Sequence, residues 1–276
     1  MRFTFLSRPA ALASTSIALC AAFAGAATAD TVSPSPITFE PSQGYGVGNV
    51  NNQNGWTKTG GYDVAVADVG DFAAASGYGF GAHALRLSDA VTSGSFGDQT
   101  FSPGLSEPAG ESGQSHFDAT FQIGTTLTTV QPGLHLSVSP DDGNGARMSY
   151  LRFEDQADGV HVFFDDATDP GPAGTGAVFN DTEIATLDRA HAHTIRFSIN
   201  FHPGPANDVV KIYVDGTLKT TGTTWEDYYR YDPEAAGNGN QVSPVSKLLF
   251  REAGDAHPAN ANKGFLVDRV SLDSDF

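Results

Sequence analysis

Three features of the sequence predict an all-β fold built as an antiparallel sandwich. Residues 195–201 alternate, with Ile195, Phe197, Ile199 and Phe201 on one side and Arg196, Ser198 and Asn200 on the other. That period of two belongs to a half-buried strand. Asp215-Gly216 then joins residues 209–214, rich in β-branched and aromatic side chains, to residues 217–221. Such a pair marks a tight hairpin, because its turn needs positive φ at both central positions. Finally, roughly a dozen short apolar segments recur at ~8–15-residue spacing between Gly, Pro, Asn and Asp clusters, with no amphipathic helix among them.

The first 29 residues read as an export signal. Arg2 and Arg8 supply the charged start, residues 10–26 are apolar and small, and Ala27-Thr28-Ala29 fits a cleavage site. The expectation is a secreted or periplasmic protein. Ser and Thr interrupt the alanine-rich run, and no later stretch is long enough to span a bilayer, so membrane insertion is not expected. Residues 30–36 form a Ser/Pro leader. Residues 37–276 have the length of one large β-domain, long enough to bury a core without staples. The only cysteine, Cys20, falls in the signal, so the exported chain would have no disulfides. The formal net charge is −17, and loss of Arg2 and Arg8 makes it more negative still. This argues against nucleic acid, which demands a basic face. It also disfavours highly anionic polysaccharides unless the few arginines cluster.

In chain order, residues 37–40 read as the first strand and 44–54 as a loop. Trp56 follows that loop, where it reads first as a core residue under the sandwich edge and second as a sugar platform. Strands are expected over 62–69, 84–88, 116–123, 133–139, 148–154 and 159–164, with a shorter one over 183–188. They continue over 195–201, 209–214, 217–221, 245–252 and 265–272. Residues 101–115, 165–176, 228–244 and 254–263 read as loops, the places where function concentrates on such scaffolds.

The hairpin NDVVKIYVDGTLKTTG at 207–222 and the closing segment FLVDRVSLDS at 265–274 resemble the concanavalin A-like lectin/glucanase superfamily, the laminin-G-like jelly roll. The resemblance spans residues 37–276. Its motifs are markers of fold and carry no catalytic residue. It implies a jelly roll with one concave sheet whose polar face takes a glycan. The E-x-D-x-x-E strand of laminarinase-type enzymes in that group is missing here. Glu154-Asp155 and Glu226-Asp227 are only adjacent pairs, and neighbours on a strand point to opposite faces. Neither is the paired carboxylate that glycosidase chemistry requires.

If the outward faces of successive strands line up, they bring Asp118, Thr120 and Gln122 beside His135 and Ser137. Tyr150, Arg152, Glu154, His161 and Arg196 would then converge on one groove. Aromatics there would stack on sugar faces while charges bond hydroxyls. In a lyase, Arg would neutralise a uronate while His135, Tyr150 or His161 moved protons, with Arg152 and Glu154 beside them. The competing reading is a solvated face with ordinary cross-strand pairs. The run from Trp225 to Tyr231 is the densest aromatic cluster, and Trp225 and Tyr229 are candidate platforms at the rim, although tucking over the sandwich end is the plainer reading. Asp141, Asp142, Asp165 and Asp166 supply hard oxygens of the kind calcium takes, without EF-hand spacing. Such clusters otherwise make turns. His191 and His193 form an i, i+2 pair with no third ligand in view.

The sequence therefore leads to a carbohydrate-binding protein whose partner is a glycan or polysaccharide. The alternative is a polysaccharide lyase or glycoside hydrolase on the same fold. A structural or adhesive surface domain is the third reading.

Overall fold

The computed structural model describes residues 30–32, 35–93, 97–105, 113–168, 177–232, 245–252 and 255–275. The expected export signal lies outside them, as do parts of the loops at 101–115, 165–176 and 228–244. The first strands are β1 (Asp30–Val32), β2 (Thr57–Thr59), β3 (Asp63–Asp68), β4 (His83–Ser88) and β5 (Gln99–Phe101). Next come β6 (His116–Thr125), β7 (His135–Asp141), β8 (Leu151–Gln156), β9 (Gly159–Thr168) and β10 (Val178–Leu187). The chain closes with β11 (His193–Asn200), β12 (Val209–Val214), β13 (Thr217–Gly222), the short helix α1 (Glu226–Tyr231), β14 (Lys247–Glu252) and β15 (Phe265–Asp275).

The strands form two antiparallel sheets packed as a jelly-roll sandwich. One sheet runs β13-β12-β11-β6-β15-β4-β3, with β1 also paired to β15. The other runs β10-β9-β8-β7-β14-β5-β2. The alternation that predicts the fold is the alternation that builds it. Ile195, Phe197 and Ile199 are wholly buried, and so are their register neighbours Phe117, Ala119 and Phe121 on β6. Aromatic rings tie the sheets together. Phe121 of β6 meets Phe153 of β8 at 6.2 Å and Phe250 of β14 at 5.9 Å. Trp56 is wholly buried, packs on Phe250 at 6.0 Å and donates its indole N–H to the Tyr45 hydroxyl at 3.0 Å, so it belongs to the core. Asp215 and Gly216 both have positive φ, as the β12–β13 turn requires.

Four expectations need correction. Residues 37–40 form no strand. Ile37 makes one isolated bridge to Val270, and Phe39 takes a left-handed φ of 57° that breaks the run. The short strands β2 and β5 fall where no strand was expected; β2 pairs with β5, and β5 with β14. The strand expected at 183–188 begins at Val178, since edge strand β10 needs no apolar face to pair with β9. The loop expected over 228–244 is helical at its start, where α1 runs to Tyr231; the Glu226 carboxylate of α1 accepts the Asn207 N–H at 3.1 Å and the Arg230 side chain at 3.2 Å.

A candidate glycan face on the seven-stranded sheet

The register of the second sheet places the candidate residues. One row of outward side chains crosses all seven strands: Thr59, Gln99, Arg251, Ser137, Arg152, Phe163 and Glu183. The next row holds His135, Glu154 and His161. On the other side of the first row sit Phe101, Leu249 and Ser139, then Asp165 and Asp181. Tyr150 joins them just before β8, where its carbonyl accepts the Asp165 N–H at 3.1 Å. The burial pattern of β8 settles the face of Arg152 and Glu154, because Leu151 and Phe153 between and beside them are wholly buried.

Arg251 lies at the centre. It faces outward, yet it is only 8% exposed, sunk among Ser137, Leu249 and its neighbours. Its guanidinium shares a hydrogen bond with the Tyr150 side chain, and burial pushes its pKa down. Arg147, bridged to the end of β7 at Asp141, and Lys247, opposite Asp141 on β14, lie along the same face. Arg152 is held from two sides, by Glu154 and by Asp181, and its guanidinium lies over the Phe163 ring at 4.4 Å.

The two histidines differ. His135 Nδ1 meets the Gly133 carbonyl oxygen at 3.0 Å, an arrangement that suits an N–H there and leaves Nε2 as the basic nitrogen. Burial first, opposed by that carbonyl and by Asp89, and then Arg152 and Arg251 nearby, give His135 a lowered pKa. It is therefore neutral at neutral pH. His161 is clamped between Asp158 and Glu183, both at 2.8 Å, and its pKa is raised, chiefly by the bond to Asp158.

At one end, Trp225 stacks on Tyr150 at 5.7 Å and 20°, and its indole N–H donates to the Asp165 carbonyl at 2.9 Å. Phe179, 45% exposed, meets Trp225 edge-on at 4.9 Å, and Tyr228 closes the group at 5.9 Å. Phe179 and Tyr228 thus join Trp225, a candidate platform from the sequence, in one aromatic group. Phe179 lay hidden because β10 has no alternating pattern. Tyr229 is half-buried and packs against the core, and burial pushes its pKa up.

Arg196 is the larger correction. It lies on β11, in the other sheet, where it pairs with Asp118 at 2.8 Å and covers Tyr213 at 5.3 Å. Thr120 and Gln122 share its sheet. Sequence order suggested neighbours, but β7 follows β6 by crossing from one sheet to the other, so these residues cannot meet His135 or Arg152.

Three of the four aspartates expected to suit calcium accept backbone amides. Asp141 accepts the Gly143 and Gly145 N–H groups, and Asp142 those of Asn144 and Ala146. Asp166 accepts from the amide and hydroxyl of Thr223. Asp165 forms a side-chain pair with Asp181, and burial and then that neighbour's charge raise its pKa to about 6. Hydrogen-bonded carboxyls leave no room for a sugar between them, so this is not a glycosidase pair. His191 and His193 both turn to Asp188. Among the described residues no group of three His, Cys, Asp or Glu side chains is placed to hold a metal, and no helix is long and apolar enough to cross a membrane.

No protein-family model matches the chain, and no curated protein matches it. Several solved structures are similar to it. A sialidase has 12% identity and a TM-score of 0.43, over 79% of this chain and 17% of that one. The endo-β-1,4-glucuronan lyase of the fungus Trichoderma reesei has 13% identity and a TM-score of 0.41, over 88% of this chain and 95% of that one. The carbohydrate recognition domain of Emp47p has 10% identity and a TM-score of 0.39, over 89% and 96%. The chain therefore spans only a small part of that sialidase. At these identities and scores, the likeness concerns the arrangement of strands alone.

Proposed function

We propose that this chain binds a carbohydrate across the outer face of the seven-stranded sheet, and that the preferred sugar carries carboxylates. One observation supports this reading above the rest. Arg147, Arg152, Lys247 and Arg251 gather on one face of a chain with a net charge of −17. Composition alone disfavours an anionic ligand, and clustering is the exception that restores it. Arginine presents a planar fork that matches a carboxylate. The aromatic end formed by Tyr150, Phe179, Trp225 and Tyr228 suits the apolar face of a pyranose ring.

A second reading has its own support. His135 is neutral with Nε2 open, and the Tyr150 hydroxyl is fixed by Arg251. These are the parts of a β-elimination. A guanidinium neutralises the uronate carboxylate and acidifies the adjacent C–H. His135 takes that proton, the electron pair forms the new double bond, and the departing glycosidic oxygen receives a proton from Tyr150.

The test is incubation of the purified chain with neutral and uronate polysaccharides, followed by affinity-gel retention, reducing-end and ultraviolet readings. Retention on uronate gels supports the binding reading. New ends with ultraviolet absorbance support the lyase. Retention on neutral gels alone, or on none, overturns the carboxylate preference.

A further inference from the structure

The outer face of the seven-stranded sheet is divided by charge. Strand β14 brings Lys247 and Arg251 to it, and Arg147 is bridged to the neighbouring end of β7. Strands β9 and β10, at the far side, contain no lysine or arginine. They present Asp165, Asp181 and Glu183 instead. His161 is the one basic group on these two strands, and Asp158 and Glu183 clamp it at 2.8 Å each. Four steps of the ladder separate β14 from β10, about 19 Å at the usual strand spacing, which is wider than one sugar ring.

Arg152 stands on the boundary, and its charge is spent on the acidic side. Its guanidinium meets both Glu154 and Asp181. Asp181 also lies directly across the ladder from Asp165. Burial and then the Asp181 charge raise the Asp165 pKa to about 6, so both carboxyls of that pair are ionised at neutral pH. Three carboxylates, Glu154, Asp165 and Asp181, therefore face one guanidinium.

The aromatic group belongs to this acidic side. Phe179 lies two residues before Asp181 on β10 and shares its face. It meets Trp225 at 4.9 Å, and Trp225 in turn donates to the Asp165 carbonyl at 2.9 Å. Tyr150 is the seam between the halves. Its ring stacks on Trp225 at 5.7 Å, and its side chain shares a hydrogen bond with Arg251. A uronate seated over Arg251 meets cations. The same uronate seated on Trp225 meets ionised carboxyls, and like charges brought together reject a ligand more sharply than opposite charges attract one.

We propose that the preferred polysaccharide alternates in charge along its length, with a uronate over Arg251 and Lys247 and an uncharged sugar next to it on the Trp225–Phe179 platform. This rests on the glycan reading of the face and narrows it. A heteropolymer of uronate and neutral sugar is accepted, and a homopolymer with a carboxylate on every ring is disfavoured because one of them must sit among the acids.

The experiment compares retention of the purified full chain on affinity gels at neutral pH and low salt. The alternating polymers are hyaluronan and unsulfated chondroitin, in which glucuronate alternates with an uncharged N-acetylhexosamine. The homopolymers are polygalacturonate and alginate, matched for uronate content, and dextran is the neutral gel. The expected result is retention about tenfold stronger on an alternating polymer than on either homopolymer. Asp181→Asn changes an exposed position, removes one repelling charge and releases Arg152. It should raise homopolymer retention and narrow that ratio by about threefold or more. Homopolymers held as tightly as the alternating polymers would overturn this inference while leaving the carboxylate preference standing. So would an unchanged ratio in Asp181→Asn, or a loss shared equally by every gel. Retention on dextran alone, or on no gel, would overturn both.

Discussion

Replacing Glu252 with glutamine should flatten the dependence of stability on pH. Glu252 lies next to Arg251 on β14, but its side chain points inward, into the space between the sheets. It is wholly buried, and both carboxylate oxygens lack partners. Burial, followed by the charges of Asp89, Asp98 and Asp63, raises its pKa well above the ordinary carboxylate value. The folded state therefore keeps the proton that the unfolded chain releases. Below the unfolded pKa both states are protonated, and Glu252 costs nothing on this account. Above it, the folded state is penalised by about 1.4 kcal/mol per pH unit until the folded pKa is reached. Denaturant unfolding of parent and Glu252→Gln at pH 5, 6 and 7 measures the difference directly. The stability gap should move in favour of glutamine as pH rises, by at most about 1.4 kcal/mol per pH unit. The other raised acids, Asp141 and Asp165 among them, are common to both proteins and cancel. Parallel stability curves would show that the Glu252 carboxyl finds a partner in solution, and would refute the reasoning.

Three further outcomes follow from the geometry. Arg251→Gln removes a charged donor at the centre of the proposed face, and should weaken retention of a uronate polysaccharide by about ten- to a hundredfold, the worth of one charge-assisted hydrogen bond of 1.5–3 kcal/mol. Trp225→Ala should weaken binding of any sugar seated at the aromatic end, while removing the Tyr150 stack seen here at 5.7 Å; affinity electrophoresis against neutral and acidic gels reads this. Gly216→Ala places a side chain at φ 74° in the β12–β13 turn, and should cost about 1–2 kcal/mol in denaturant unfolding without touching retention.

The strands were legible because burial imposes a period of two. β8 and β12 show it in full and β6 and β11 over most of their length, and the Asp215-Gly216 turn fixes one hairpin register by its own backbone demands. What the pattern could not carry was which sheet each strand joins. His135 and Asp118 look like neighbours in sequence, yet they point out of opposite sides of the sandwich. Arg251 was invisible for the same reason. β14 is buried along nearly its whole length, so its outward residues do not read as outward, and only pairing with Ser137 and Gln99 reveals the face. The acids show a different limit. Asp141, Asp142 and Asp166 have the composition of a metal loop, and each also accepts a backbone amide, as Asp-rich turns do.

The most direct test of the central claim compares the two outer faces in one experiment. Retention of the parent, Arg251→Gln and Arg196→Gln proteins is measured on gels carrying a uronate polysaccharide across a range of salt. Arg196 is the control because it lies on the other sheet, paired with Asp118. The account predicts retention of the parent that falls with salt, loss in Arg251→Gln and no change in Arg196→Gln. Loss in Arg196→Gln with Arg251→Gln unaffected would place the ligand on the wrong side of the sandwich and contradict it.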